Sequence, residues 1–214
     1  MKKKGQIMYF KRICKITFIC HGATIYSEEG RFSDALEYPP LSDLGIEEME
    51  NIVKYLKKRG VKNDAIYTSP SVRTIQSADM ISKLFKQDVK ILEDLTTREC
   101  AAWNGLTFSQ ILDRHPTGFK DILDYPEEKT QAGGESSVEF INRTKAVIER
   151  VVNENNGNRI IIVTHPDVIQ AAICAALDIS ADKLPKLYIR TGSATQISYF
   201  ESWASLLYSD HVPI

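Results

Sequence analysis

The chain has 214 residues, 43% of them hydrophobic and 26% charged, a mixture typical of a globular protein and not of a disordered one. Its 27 basic and 28 acidic residues leave a net charge of −1, so no overall field favours nucleic acid or an anionic membrane as a partner. No run approaches the roughly 18 apolar residues of a membrane span. The length suits one domain, or one domain with a small insertion.

Cysteine and histidine are few and scattered. There are four of each: Cys14, Cys20, Cys100 and Cys174, and His21, His115, His165 and His211. Because no two cysteines form a CxxC pair and the sequence shows no export signal, we expect reduced thiols and a cytoplasmic protein. No histidine lies at a metal-ligand spacing from another histidine or cysteine, so we expect no metal site.

Two apolar runs predict strands that are buried on both faces, CKITFICH (14–21) and RIIIVTH (159–165). Both are rich in β-branched residues and lack strict alternation, as expected of central parallel strands. Weaker candidates for strands lie at 65–69, 89–94 and 194–202.

Amphipathic segments between these strands predict helices at 41–60, 71–85 and 136–154. The first helix should end at Gly60, a residue common at helix C termini. Its buried face should consist of Ile46, Met49, Ile52, Val53 and Leu56. Strands that alternate with helices predict a layered α/β fold with a mostly parallel sheet.

The segment at about 105–135 breaks this alternation. It contains short helical pieces interrupted by prolines and by the pair Gly133-Gly134. We interpret it as a small helical insertion, or lid, within a single domain of residues 1–214.

Histidines end the two strongest predicted strands, His21 the first and His165 the second. Ligands bind beyond the carboxyl ends of the strands in an open parallel sheet, so both side chains should face one crevice. A third group, Arg73, lies in the first turn of the helix that follows Ser69-Pro70, where free N–H groups and a guanidinium suit an anion. Singly, such a histidine is usually structural and such an arginine is usually exposed. Together they predict an anion-binding site.

These residues form part of a series of motifs that resembles, in the same order, the histidine phosphatase superfamily, the phosphoglycerate-mutase-like group. The series consists of Cys20-His21-Gly22, Ser69-Pro70 with Arg73 and Gln76, the segment RECAAWNGLT (98–107), Gly133 to Ser136, and His165. The resemblance runs from about residue 14 to residue 200. It implies a three-layer α/β/α sandwich with a mostly parallel central sheet.

The resemblance also implies a mechanism that requires no metal and no organic cofactor. His21 would attack a phosphoryl group and become transiently phosphorylated, while Arg73 and the second catalytic histidine, His165, hold the phosphoryl oxygens. Glu99 would protonate the leaving alkoxide. Water as the acceptor makes a phosphatase, and a second substrate hydroxyl makes a mutase.

Cys20 stands where the family has one of its phosphate-binding arginines. Either another cation, Arg31 or Arg98, replaces it, or the protein is a degenerate member that binds a phosphorylated ligand and turns it over slowly or not at all. Loss of one such donor typically lowers kcat about 10²–10³-fold. The resemblance also places Gly22 and Ser27 at the phosphate. Cys20 is excluded as a nucleophile, because the arginine that cysteine phosphatases carry six residues later is absent.

The role of Glu99 depends on a spacing. The family commonly leaves about five residues between its acid and the following tryptophan, and fewer separate Glu99 from Trp103. Either two residues are deleted or Thr97 is the true counterpart, and the local sequence Arg98-Glu99-Cys100 favours a deletion. A plainer interpretation is that Glu99 is a solvated loop carboxylate.

The first hypothesis is a metal-independent phosphomonoesterase that acts on a small phosphorylated substrate. The alternatives are a pseudo-phosphatase that only binds such a ligand and a phosphoglycerate-mutase-type phosphotransferase. We expect neither nucleic acid nor a membrane as a partner, and a homodimer is an open expectation.

Overall fold

The computed structural model describes residues 11–34, 38–129 and 133–213. Within these residues six strands form one sheet: β1 (Arg12–Cys20), β2 (Ala65–Thr68), β3 (Val89–Ile91), β4 (Arg159–Thr164), β5 (Ala194–Phe200) and β6 (Ala204–His211). Their order across the sheet is β3-β2-β4-β1-β5-β6. The first four pair in parallel, whereas β5 is antiparallel to both β1 and β6. The predicted mostly parallel sheet is confirmed.

The sequence analysis predicts neither edge strand β6 nor two of the helices, one short and one long. The residues of β6 are half-buried or exposed, so no apolar run marks the strand. The helices are α1 (Ile25–Glu28), α2 (Asp43–Lys58), α3 (Val72–Phe85), α4 (Phe108–Arg114), α5 (Gly118–Asp124), α6 (Ser137–Glu154) and α7 (Pro166–Ala176). Of these, α7 is the long helix that the analysis misses, because it follows β4 with no intervening loop.

The two faces of the sheet carry separate hydrophobic clusters. Ile16 and Phe18 of β1 pack with α6 and α7 on one face, and Ile19 packs with α2 and α3 on the other. All three side chains are fully buried. Because successive residues of a strand point to opposite faces, a strand covered on both sides requires an apolar run without alternation. The three-layer α/β/α architecture is therefore confirmed.

Helix α2 shows one wrong prediction in its buried face. Met49, Ile52 and Leu56 are buried and Val53 is half-buried, but 43% of Ile46 is exposed. The backbone of the helix approaches the loop after β1 so closely that a Cβ on Gly45 would lie 2.0 Å from the Ala23 carbonyl oxygen. Gly45 therefore faces the inside and turns Ile46 outward. The predicted end at Gly60, with φ of +57°, is confirmed.

Helices α4 and α5 lie in the segment predicted to be an insertion, of which residues 130–132 are outside the described residues. Ile111 and Ile122 of this segment form a third small cluster with Trp103, and Phe32 and Leu106 pack against it. The interpretation as a lid within a single domain stays a prediction. Among the described residues, none of the helices combines the length and hydrophobicity that crossing a lipid bilayer requires.

Candidate active site

Three strand ends bring the predicted site residues together. Cys20 of β1 is paired with Thr164 of β4, and Thr68 of β2 is paired with Val163. The residues that follow these strands therefore emerge side by side at one edge of the sheet. The imidazole rings of His21 and His165 lie there with their centroids 5.3 Å apart, inclined at 70°.

His21 is held as a neutral imidazole with a defined tautomer. Its Nδ1 lies 2.8 Å from the Gly22 carbonyl oxygen, which can only accept, so the proton is on Nδ1 and the lone pair is on Nε2. Burial and the nearby charge of Arg73 lower the pKa of His21 to about 3. The ring is therefore uncharged near neutral pH, the state in which an imidazole nitrogen can attack phosphorus.

His165 immediately precedes α7, whose first residue is Pro166. Its Nε2 lies 2.9 Å from Ser69 Oγ and 3.3 Å from Ser71 Oγ. Ser71 precedes α3 but makes no capping hydrogen bond to that helix, so its hydroxyl is available to the histidine. Burial, Arg73 and His21 together lower the pKa of His165 well below its usual range.

Arg73 provides the positive charge of this cluster. It lies in the first turn of α3 and only 3% of it is exposed. Its Nη2 donates to the Ser33 carbonyl oxygen at 3.3 Å. Burial lowers the pKa of Arg73, and the charge of Asp167 is the largest opposing influence. A buried guanidinium next to two neutral histidines has the charge and the hydrogen-bonding groups that suit a doubly charged oxyanion such as phosphate.

Gly22 has a structural reason to be glycine. A Cβ at this position would lie 2.2 Å from the Gly45 carbonyl oxygen, so the loop after β1 and the start of α2 pack backbone against backbone. Its N–H donates to Ser77 Oγ on α3 at 3.2 Å. The loop that carries His21 is thereby fixed to both helices of this face.

Cys20 contributes no charge to the site. It is fully buried in the cluster formed with α6 and α7. Burial first, and then the negative charges of Glu48, Asp167 and Asp210, raise its pKa well above the usual range. The side chain is therefore a neutral thiol packed in the core.

Ser27 and Arg31 are engaged in local structure. Ser27 Oγ accepts from the Thr24 N–H at 2.8 Å and donates to the Thr24 carbonyl oxygen at 2.9 Å, closing the short helix α1. Arg31 contacts the Glu29 carboxylate at 2.5 Å and the Gly105 carbonyl oxygen at 2.9 Å. Arg31 thus ties the loop after α1 to the 98–107 segment, and the described contacts do not bring it to the histidines.

Arg98 and Glu99 differ in burial and in their contacts. Arg98 is half-buried, donates from Nε to the Glu135 carbonyl oxygen at 2.7 Å, and has a buried Nη2 without a partner among the described residues. Glu99 is exposed, and its side chain makes no hydrogen bond or ion pair with any part of the chain that the structure describes. Its backbone is fixed instead, because a Cβ on Gly134 would lie 2.3 Å from the Glu99 carbonyl oxygen.

The sequence analysis misses Asp167. This carboxylate accepts from Thr97 Oγ1 at 2.6 Å and from the Arg98 N–H at 2.7 Å. The only available signal is its place two residues after His165, at the end of a strand already identified as part of the site. Thr97 and Glu99 are the two candidates for the position of the family's acid. Thr97 donates a hydrogen bond to the Asp167 carboxylate, whereas Glu99 makes no hydrogen bond to it.

A cavity of about 320 Å³ opens beside these residues. Its polar wall includes Ser33, Arg98, Glu99 and Asp167. Its apolar wall includes Phe32, Trp103, Ile122, Leu184 and Pro185. Within the described ranges, no group of three or more His, Cys, Asp or Glu side chains is arranged to hold a metal ion.

A family model described as histidine phosphatase superfamily (branch 1) matches residues 16–210. The chain belongs to this superfamily. It is 27% identical over 191 residues to a bifunctional protein of Mycobacterium tuberculosis, an alignment that covers 89% of this chain but 52% of that protein. It therefore spans about half the length of the first curated relatives that it matches.

Other relatives have a similar length. The chain is 26% identical over 195 residues to putative phosphoserine phosphatase 2 of Hydrogenobacter thermophilus, covering 91% of this chain and 94% of the relative. Among solved structures, Bacillus stearothermophilus YhfR superposes with a TM-score of 0.84 at 24% identity, covering 93% of this chain and 98% of that one. A mycobacterial glucosyl-3-phosphoglycerate phosphatase superposes with a TM-score of 0.81 at 23% identity, covering 92% and 99%. These superpositions confirm the fold.

Proposed function

We propose that this protein is a metal-independent phosphomonoester hydrolase that works through a phosphohistidine on His21. The observation that carries the proposal is the neutral, buried His21 ring, whose Nδ1–H is bound to the Gly22 carbonyl oxygen. This hydrogen bond directs the Nε2 lone pair away from the backbone, and Arg73 and His165 lie beside it. Membership of the superfamily, and relatives named as phosphatases, support the same reaction class.

The reaction divides between these residues as follows. Nε2 of His21 forms a bond to phosphorus while the bond from phosphorus to the leaving oxygen breaks. Arg73 and His165 stabilise the charge on the phosphoryl oxygens during this step. Water then attacks the phosphohistidine and releases phosphate. The cavity of about 320 Å³ lined by Ser33, Arg98 and Trp103 has room for the alcohol part of a small phosphorylated substrate.

The neutral Cys20 is the specific observation that favours the second candidate, a protein that binds a phosphorylated ligand and turns it over slowly. With Cys20 in place of a guanidinium, the phosphoryl group has one fewer preorganised donor. Loss of such a donor lowers kcat about 10²–10³-fold. Arg98 supports the enzyme instead, because its buried Nη2 has no partner among the described residues and can supply a second cation. We therefore propose a phosphatase of reduced rate, with Arg98 assisting Arg73.

The test is hydrolysis of p-nitrophenyl phosphate in the presence of a chelator, with His21→Ala and a matched control, His211→Ala on β6. We expect His21→Ala to lower kcat/KM more than about 10³-fold, since it removes the nucleophile, and His211→Ala to have little effect. The wild-type protein should trap an acid-labile, alkali-stable phosphate on His21. Tight phosphate binding without hydrolysis and without this adduct would establish the binding protein instead.

A further inference from the structure

The peptide unit between Gly22 and Ala23 makes a side-chain hydrogen bond at each of its two polar groups. Its carbonyl oxygen, which belongs to Gly22, lies 2.8 Å from Nδ1 of His21 and accepts the proton of the ring. Its N–H, which belongs to Ala23, donates to Glu48 Oε2 at 2.7 Å. Because a peptide unit is planar and rigid, the contact at the N–H also fixes the direction of the carbonyl oxygen. Glu48 is therefore connected to the ring of His21 through one peptide unit.

Glu48 is itself held in place by a segment distant in sequence. It belongs to α2 and is half-buried, and its second oxygen, Oε1, accepts from Thr191 Oγ1 at 3.0 Å. A Cβ on Gly192 would lie 2.6 Å from Cβ of Glu48, so the turn before β5 packs directly against this side chain. The Gly192 N–H donates to the His21 carbonyl oxygen at 3.0 Å. The carboxylate and the backbone of His21 are thus fixed to the same turn.

The backbone nitrogens before Ala23 are held without Glu48. The His21 N–H donates to the Thr164 carbonyl oxygen at 3.0 Å, and the Gly22 N–H donates to Ser77 Oγ at 3.2 Å. The peptide unit that accepts from the ring differs, because the acceptor of its N–H is a side chain of α2. Removal of the Glu48 carboxylate should therefore free this unit and leave the backbone of His21 in place.

The direction of the Gly22 carbonyl oxygen decides which nitrogen of His21 carries the proton. A carbonyl oxygen can only accept, so it keeps the proton on Nδ1 and the lone pair on Nε2. If the peptide unit turned away, the neutral ring could adopt the other tautomer, whose Nε2 carries the proton and has no lone pair to attack phosphorus. A carboxylate on the N–H also polarises the peptide unit and so strengthens its hydrogen bond to the ring.

We propose that Glu48 is the positioning residue of the nucleophile, a proposal that rests on the proposed function. Glu48 fixes the peptide unit between Gly22 and Ala23, and this unit keeps the proton of His21 on Nδ1 and its lone pair on Nε2. Glu48 contacts neither the substrate nor the reacting atoms. Thr191 supports this role, because it holds the second oxygen of the carboxylate.

The experiment compares Glu48→Leu with Glu47→Leu, a matched control in which an exposed carboxylate of the same helix is removed. A displaced or wrongly protonated nucleophile should lower kcat/KM for p-nitrophenyl phosphate about 10²-fold in Glu48→Leu. The inhibition constant of inorganic phosphate should change less than about 3-fold, because Arg73 and His165 are placed by α3 and β4 and still bind the anion. Glu47→Leu should leave both quantities unchanged.

A conservative variant and a spectroscopic signal separate positioning from a general loss of structure. In Glu48→Gln the amide oxygen can accept from the Ala23 N–H while the amide N–H donates to Thr191 Oγ1, so kcat/KM should stay within about 5-fold of the wild type. Nitrogen-15 NMR of labelled histidine should show only the Nδ1–H tautomer of His21 in the wild type and in Glu48→Gln. Glu48→Leu should show both tautomers.

Thr191→Val tests the same connection without altering α2, and it replaces Glu48→Leu if that variant does not fold. It removes the hydrogen bond to Glu48 Oε1, and we expect a loss of about 10-fold in kcat/KM with unchanged inhibition by phosphate. Thr191→Ser, which keeps the hydroxyl, should behave as the wild type.

The role of Glu48 and the proposed function fail in different ways. A folded Glu48→Leu protein with unchanged kcat/KM and a single tautomer would overturn the role of Glu48 and leave the phosphatase intact. An equal loss of kcat/KM and of phosphate binding, or a loss in Glu48→Gln as large as in Glu48→Leu, would overturn it too. Absence of hydrolysis and of phosphohistidine in the wild-type protein would overturn the proposed function, and the positioning role with it.

Discussion

The site is built from two regions that differ in how their residues are held. His21, Arg73 and His165, the histidine cluster, follow strands of the central sheet and are almost completely buried. Residues 96–107, the loop wall, are held by contacts from another loop, because Asp34 accepts from the N–H groups of Cys100 and Ala101 and the backbone of Phe32 pairs with that of Gly105 and Leu106. Pairing of the central strands places the first region, and backbone and side-chain contacts with a loop distant in sequence place the second. Chemistry that requires a fixed charge should therefore depend on the cluster, and selection of the alcohol on the wall.

The sharpest test of this difference compares two arginines, one from each region. Arg73→Ala removes the buried guanidinium beside both histidines, and we expect kcat/KM for p-nitrophenyl phosphate to fall about 10²–10³-fold. Arg31→Ala removes a side chain that is bound to Glu29 and Gly105, and the rate should fall less than about 5-fold. Steady-state kinetics of both variants, with thermal unfolding as a check on folding, measures the contrast. Comparable losses would mean that Arg31 reaches the phosphate.

The next largest expected effect is an increase in kcat, produced by the substitution Cys20→Arg. This substitution restores a guanidinium at the end of β1, and kcat should rise about 10²-fold if a missing donor limits the rate. Cys20→Ser, which adds a small polar group without charge, should show no gain. Because the position is fully buried, the arginine should also lower the thermal midpoint. A folded Cys20→Arg protein that binds phosphate but is no faster would show that Arg98 already provides the second cation.

The same difference explains which parts of the molecule the sequence predicts. The β1 and β4 runs identify the sheet centre because burial on both faces leaves a local pattern, and His21 and His165 are found from their places at the strand ends. Exposed Ile46 shows the limit of helical periodicity, since the orientation of α2 depends on the contact of Gly45 with a loop distant in sequence. Asp167 has no pattern of its own: its contact with Thr97 joins segments that are 70 residues apart.

The smallest expected effect is on the free energy of unfolding, and it tests whether the histidine cluster excludes water as its burial indicates. Burial lowers the pKa of His21 from 6.5 to about 3 and also lowers that of His165. The unfolded chain therefore binds more protons than the folded protein between these values, so stability is fully present above pH 6.5 and is lost as the pH falls toward 3. At pH 5.5 the loss for His21 alone should be about 1 kcal/mol.

Urea unfolding at several pH values measures this dependence, and His21→Gln is the matched variant because glutamine keeps a hydrogen-bonding side chain and does not titrate. We expect the free energy of unfolding of the wild-type protein to fall more steeply below pH 6.5 than that of His21→Gln. Identical slopes for the two proteins would mean that His21 in the folded protein becomes positively charged at the same pH as an exposed histidine. Such a ring lacks the lone pair that attack on phosphorus requires, so His21 would then act as a charged phosphate ligand and not as the nucleophile.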